Sequence, residues 1–150
     1  MGTQDHMGTQ DRETGAAAYE SEAAAARLPE LIEAAVAGRP VQIRHDGSLA
    51  AVVDAERLRR LLAGQLVRRA TLAAEAGGWT VFVPGTPVGV AADTYDQAVD
   101  EMVEALWDYS RHWQERLLTA VNHRDNWGLV QLVSLSSDGQ LRSWLGGEQP

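Results

Sequence analysis

The strongest constraint on the fold is the stretch from Leu28 to Leu62, LPELIEAAVAGRPVQIRHDGSLAAVVDAERLRRLL. It predicts a helix, a glycine stop, a strand, a tight turn, a return strand and a second helix. Leu28, Leu31, Ile32, Ala35 and Val36 recur every three to four positions, which puts them on one helical face. Pro29 sits just inside that helix, where its missing N–H costs nothing. Gly38 supplies the stop. Val41 and Ile43 alternate with Gln42 and Arg44, the period of a half-buried strand. His45-Asp46-Gly47-Ser48 contains the Asp-Gly signal for a hairpin. Leu49 to Val53 is the return strand, and Asp54 is placed to cap the next helix. That helix turns Leu58, Leu61, Leu62 and Leu66 inward and is expected to run to Glu75.

Upstream, MGTQD occurs twice across a His6-Met7 junction. Residues 1–6 read as an added leader with Met7 as the native start, and residues 1–14 as a disordered tail. The Ala-rich stretch from Gly15 to Ala26 ends in helix, with a short strand expected around Ala17–Tyr19. Downstream, Gly77-Gly78 reads as the boundary between two domains, residues 15–76 and residues 77–150. In the second, Trp79, Val81 and Val83 alternate with Thr80 and Phe82 as a strand. Pro84-Gly85-Thr86-Pro87 must be a loop, and Val88 to Ala91 a short strand. Thr94 with Gln97 three residues on is a capping box. Its helix carries Val99, Met102, Val103, Leu106, Tyr109, Trp113 and Leu117 and is expected to reach Ala120. Gly128 to Leu135 predicts a third strand. Ser136 or Ser137 caps a last short helix with Leu141, Trp144 and Leu145. The fold class is α+β, built as two sheet-and-helix units.

Composition narrows the function classes. With 45% hydrophobic residues the chain can fold. No apolar run approaches the ~20 residues that span a bilayer, and the N-terminus is polar, so a cytoplasmic protein is expected. No cysteine is present, which excludes disulfides, zinc-thiolate sites and thiol nucleophiles. The net charge of −8 repels nucleic acid overall. Residues 1–50 hold four Arg against eight acidic residues, residues 51–76 five against three, and residues 77–150 four against ten. Only the middle helix, with Arg57, Arg59, Arg60, Arg68 and Arg69, is net basic. Such a group is most simply a solvated helix face paired with Glu56 and Glu75.

The frame of Leu28, Leu31, Ile32, Ala37-Gly38, Val41-Gln42-Ile43, Gly47, Ala51-Val52-Val53 and Asp54-Ala55-Glu56-Arg57-Leu58 resembles the N-terminal module of Phd/YefM-type antitoxins, over residues 17–66. The stretch GWTVFVPGTPVGVAADTYDQAVDEMVEAL resembles the HicB-type antitoxin domain over residues 78–118, a trimmed, ribonuclease-H-like sheet without catalytic chemistry. The first resemblance implies a homodimer whose leading strand and helix face operator DNA. Together the two imply an antitoxin, which would neutralise a partner toxin by protein–protein binding and repress its own operon. An alternative is a non-catalytic interaction module of antitoxin-derived fold without toxin or operator.

Phosphate binding needs cations. In the segment that should meet DNA, AAYESEAAAAR, the cation is Arg27, beside Glu20 and Glu22. Arg27, Arg39, Arg44 and His45 are the candidate DNA contacts. Trp107, Trp113, Trp127 and Trp144 are the candidate partner anchors, since Trp is enriched at binding hot spots, although core positions are the simpler use for them. His112 and His123 near Asp108 and Asp125 hint at acid–base work, but they fall on an exposed helix face and in a polar loop. Asp93, Asp96, Asp100, Glu101 and Glu104 crowd a helix start, where the macrodipole already favours them. Phosphate-loop, dinucleotide, zincin and nucleophile-elbow motifs are absent. No enzyme activity, cofactor or metal is expected.

Overall fold

The computed structural model describes residues 17–66 and 70–147. Two compact units divide between Arg57 and Leu58.

The first unit holds β1 (Ala17–Glu20), α1 (Ser21–Ala26), α2 (Leu28–Val36), β2 (Val41–His45) and β3 (Ser48–Val52). β1 pairs parallel with β2, and β2 pairs antiparallel with β3. A parallel neighbour requires a crossover, and α1 with α2 provide it. The β2–β3 hairpin closes through Asp46 (φ 45°) and Gly47 (φ 78°), opposite the pair His45 and Ser48. Two successive left-handed residues match the strand twist, which is why Asp-Gly occupies this turn. Ala24, Leu31 and Val41 form the buried centre, with Tyr19, Ala34, Ile43 and Val52 against it. The apolar face expected of α2 splits: Leu31 and Ala35 are buried, while Leu28, Ile32 and Val36 are 45%, 48% and 55% exposed.

α3 (Ala55–Leu66) runs across that division in the chain, and Asp54 Oδ1 accepts from the Arg57 amide at 2.8 Å as its cap. The second unit continues with β4 (Thr71–Glu75), β5 (Gly78–Phe82), β6 (Gly89–Ala92), α4 (Tyr95–His112), α5 (Trp127–Ser134) and α6 (Asp138–Leu145). The three strands form an antiparallel meander in the order β4-β5-β6. A π-turn, Trp113–Leu117, extends α4, and a 3-10 turn, Arg124–Asn126, leads into α5. β5 behaves as its alternation predicts: Val81 is buried and Phe82 is exposed. Val81 and Val83, Met102 and Leu106 of α4, Leu129 and Leu132 of α5, and Leu141 of α6 share one core. Thr94 Oγ1 accepts from the Gln97 amide at 3.2 Å, and Ser137 with Gln140 forms a complete capping box.

Three expectations are corrected. α3 is described as far as Leu66, and Thr71–Glu75 is a strand rather than part of that helix, because its backbone finds a ladder on β5 that outweighs the helix propensity of Ala and Glu. Gly77-Gly78 is no domain boundary: Gly77 (φ 89°) turns the β4–β5 hairpin. Gly128–Leu135 is mostly helix α5, with Leu129, Val130, Leu132 and Val133 buried. A short apolar run buried all round carries no period that separates strand from helix.

Gly78 is a packing requirement. A Cβ there would stand 2.7 Å from the Ala92 carbonyl oxygen of β6. Gly78→Ala must therefore push β5 from β6, an expected cost of about 1–3 kcal/mol. Thermal melts of the two proteins check this, and an unchanged midpoint would refute it.

Candidate partner-binding surfaces

The cations expected to meet DNA sit in the first unit, and three of the four are beside carboxylates. Arg27 follows α1 and pairs with Glu30 at 2.9 Å, a bond that holds its guanidinium more firmly protonated. Its guanidinium carbon lies 5.5 Å from the Tyr19 ring centre. Arg44 faces Glu20 across the β1–β2 register, with 3.4 Å between their charged atoms. His45 lies 3.3 Å from Asp46 and shares a 2.8 Å hydrogen bond with Ser21. Arg39 is exposed just beyond α2. A phosphate would have to displace Glu30, Glu20 and Asp46 before it gained these charges. Within the basic helix, Arg59 is buried, while Arg68 and Arg69 lie outside the described residues.

The four candidate tryptophans separate by burial. Trp113 and Trp144 are 4% and 5% exposed and belong to the core, so neither presents a ring to a partner. Trp127, at the start of α5, is 51% exposed, and Leu118 and Val121 before it are exposed as well. Trp107 is half-buried against the core, and its indole N–H donates to Asp138 Oδ1 at 2.8 Å.

The π-turn organises polar groups that sequence reasoning missed. Gln114 bends back so that its amide nitrogen donates to the Ser110 carbonyl oxygen at 3.3 Å and approaches Ser110 Oγ at 3.3 Å. Ser110, 2% exposed, shares a 3.2 Å hydrogen bond with Ser134 of α5. Tyr109 Oη accepts from Asn126 Nδ2 at 2.9 Å and meets His123 Nδ1 at 3.1 Å, while Trp113 donates its indole N–H to the His123 carbonyl at 2.8 Å. Burial pushes the Tyr109 phenol up, and the Asn126 donor opposes the shift. With its oxygen accepting from Asn126, the phenol still shares its remaining hydrogen-bonding capacity with His123. His123 is thus tied to Tyr109 rather than to Asp125, which lies near Arg124, while Asp108 pairs with Arg111. Among the described residues, no group of three or more His, Asp or Glu is arranged to hold a metal ion. None of their helices is long and apolar enough to cross a membrane. One signal for the missed network was readable: Ser110 follows Leu106 by four residues and so falls on the core-facing side of α4.

The architecture recurs in a solved antitoxin chain. That chain, from Syntrophomonas wolfei subsp. wolfei, is the antitoxin part of a proposed toxin/antitoxin system. It superposes with a TM-score of 0.67 at 13% identity, over 85% of this chain and 94% of its own. At that identity the likeness speaks for the fold. No protein-family model matches the sequence, and neither does a curated protein.

Proposed function

We propose that this protein is an antitoxin that neutralises a toxin by binding it, without catalytic chemistry of its own. The observation that carries the reading is the shared fold, which extends over both units rather than one. The Phd/YefM-like and HicB-like assignments of the two units are part of the proposal and rest on the sequence patterns quoted above. The test is co-expression with the product of the neighbouring reading frame. The antitoxin should restore growth, and continued growth arrest would remove the toxin role.

Dimerisation belongs to the same proposal. The first unit has only a small buried centre, yet Leu28, Ile32 and Val36 form an exposed stripe at four-residue spacing. Leu49 and Val53 on the return-strand side are exposed too. Such surface favours a second copy of the chain. The expected mass in solution is twice that of the chain, and Ile32→Asp should leave the monomer. A monomeric unsubstituted protein would defeat this part.

Operator binding is the weaker half of the reading. With Arg27, Arg44 and His45 each beside a carboxylate, a promoter fragment should shift at low salt and lose its complex at physiological salt. The alternative, an interaction module of antitoxin-derived fold with neither toxin nor operator, draws support from those same pairs. Growth rescue separates the two.

A further inference from the structure

We propose that the cleft at the π-turn of α4 takes an arginine side chain from a basic partner polypeptide. The cleft encloses about 320 Å3 and is lined by Trp107, Ser110, Arg111, Gln114 and Glu115. That volume is at the small end of ligand pockets, suited to one side chain rather than a cofactor. The wall is Trp107, whose indole N–H is already satisfied by Asp138. What the ring still offers is its π face, which attracts a flat cation. At the floor, Ser110 is held by Ser134, and the Gln114 amide nitrogen is turned onto Ser110, which leaves the Gln114 carbonyl oxygen to accept.

Charge decides which guest fits. Glu104 stands three residues before Trp107 and Arg111 four residues after it, so both neighbour the ring on α4, with Asp108 directly after it. Glu115 lines the cleft from the π-turn, and Asp138 of α6 holds the Trp107 indole N–H. Arg111 and Asp108 form a pair at 3.4 Å and offset each other. Glu115 in the lining, Asp138 at the Trp107 indole and Glu104 one turn before it then leave the surroundings of the cleft acidic, which opposes an anion. A neutral apolar guest would gain nothing from them. Guanidinium fits both features, because it stacks on an aromatic face while its N–H groups donate in the ring plane to carboxylates. Lysine, a compact and strongly hydrated ammonium, makes poorer use of the indole. The assignment deepens the antitoxin reading by giving the partner's chemistry, and it rests on that reading only for the partner's biological role.

The test uses the full chain labelled with nitrogen-15 and three short blocked peptides, Gly-Arg-Gly, Gly-Lys-Gly and Gly-Glu-Gly. Trp107→Phe assigns the indole resonance. The arginine peptide should shift that resonance saturably, the lysine peptide less, and the glutamate peptide not at all. Glu104→Gln and Glu115→Gln, both at exposed positions that leave the fold intact, should each weaken the arginine peptide roughly two- to fivefold. About 0.5 M salt should weaken it further. The proposal is overturned if the arginine peptide moves no indole resonance, if the glutamate peptide moves it equally, or if the two Gln variants together leave the affinity unchanged. Peptide binding without growth rescue would keep the cleft and remove the toxin. Growth rescue without peptide binding would do the reverse.

Discussion

Leu132→Ala is expected to be among the most damaging single changes in this protein, at about 2–5 kcal/mol. Leu132 is fully buried on α5, in the core shared with Leu106 of α4 and Leu141 of α6. Truncation removes the transfer free energy of three carbons and leaves a void between three helices that cannot all move in. For a unit of this size the melting midpoint should fall by roughly 10 °C or more. Leu118→Ala is the control. Leu118 is 54% exposed, so its loss should cost within about 0.5 kcal/mol. Calorimetry on both variants checks the contrast. Equal melts would mean that α5 is not packed as described.

The second large effect is Tyr109→Phe. The phenol oxygen is the acceptor for the Asn126 amide, and Asn126 is 6% exposed. Removing the hydroxyl takes a hydrogen-bond partner from that amide and from His123 Nδ1. Each hydrogen bond lost in this buried setting costs about 0.5–1.5 kcal/mol. The variant should also change the alkaline limb of stability. Burial raises the Tyr109 phenol above its ordinary value of 10.0. A folded value above the unfolded one means that the native state holds its proton longer. The contribution is therefore whole below pH 10 and is lost as pH climbs through the folded value. Urea midpoints measured across this range should fall for the unsubstituted protein. In Tyr109→Phe the part of the fall due to this residue should vanish. Parallel curves for the two proteins would show that Tyr109 is not the group titrating.

Much of the local structure was legible from residues close together in the chain. Thr94 and Ser137 cap the helices they were expected to cap, since a cap is settled between a hydroxyl and an amide three residues away. The Asp46-Gly47 turn and the alternation in β2 and β5 are likewise short-range. The candidate surfaces were far less legible. Arg27, Arg44 and His45 were visible as cations, but Glu20 meets Arg44 only after β1 has crossed over to lie beside β2. Four tryptophans looked alike on paper. Burial sorted them, because it depends on which elements cover each ring.

The stretch Leu28 to Leu62 follows from its own residues: helix, stop, strand, Asp-Gly turn, strand, capped helix. Composition alone also determined that no thiol chemistry is open to the chain and that its charge is acid except over the middle helix. Tertiary structure decided the rest. It made a strand of Thr71–Glu75 by offering β5 as a partner, and a helix of Trp127–Ser134 by packing four apolar side chains against α4. It also drew Trp107, Ser110 and Gln114 to one cleft around a π-turn that no local pattern announced. Local signals are settled within a few residues. Pairing, burial and clefts depend on contacts between residues far apart in the chain, and those exist only once the chain has folded.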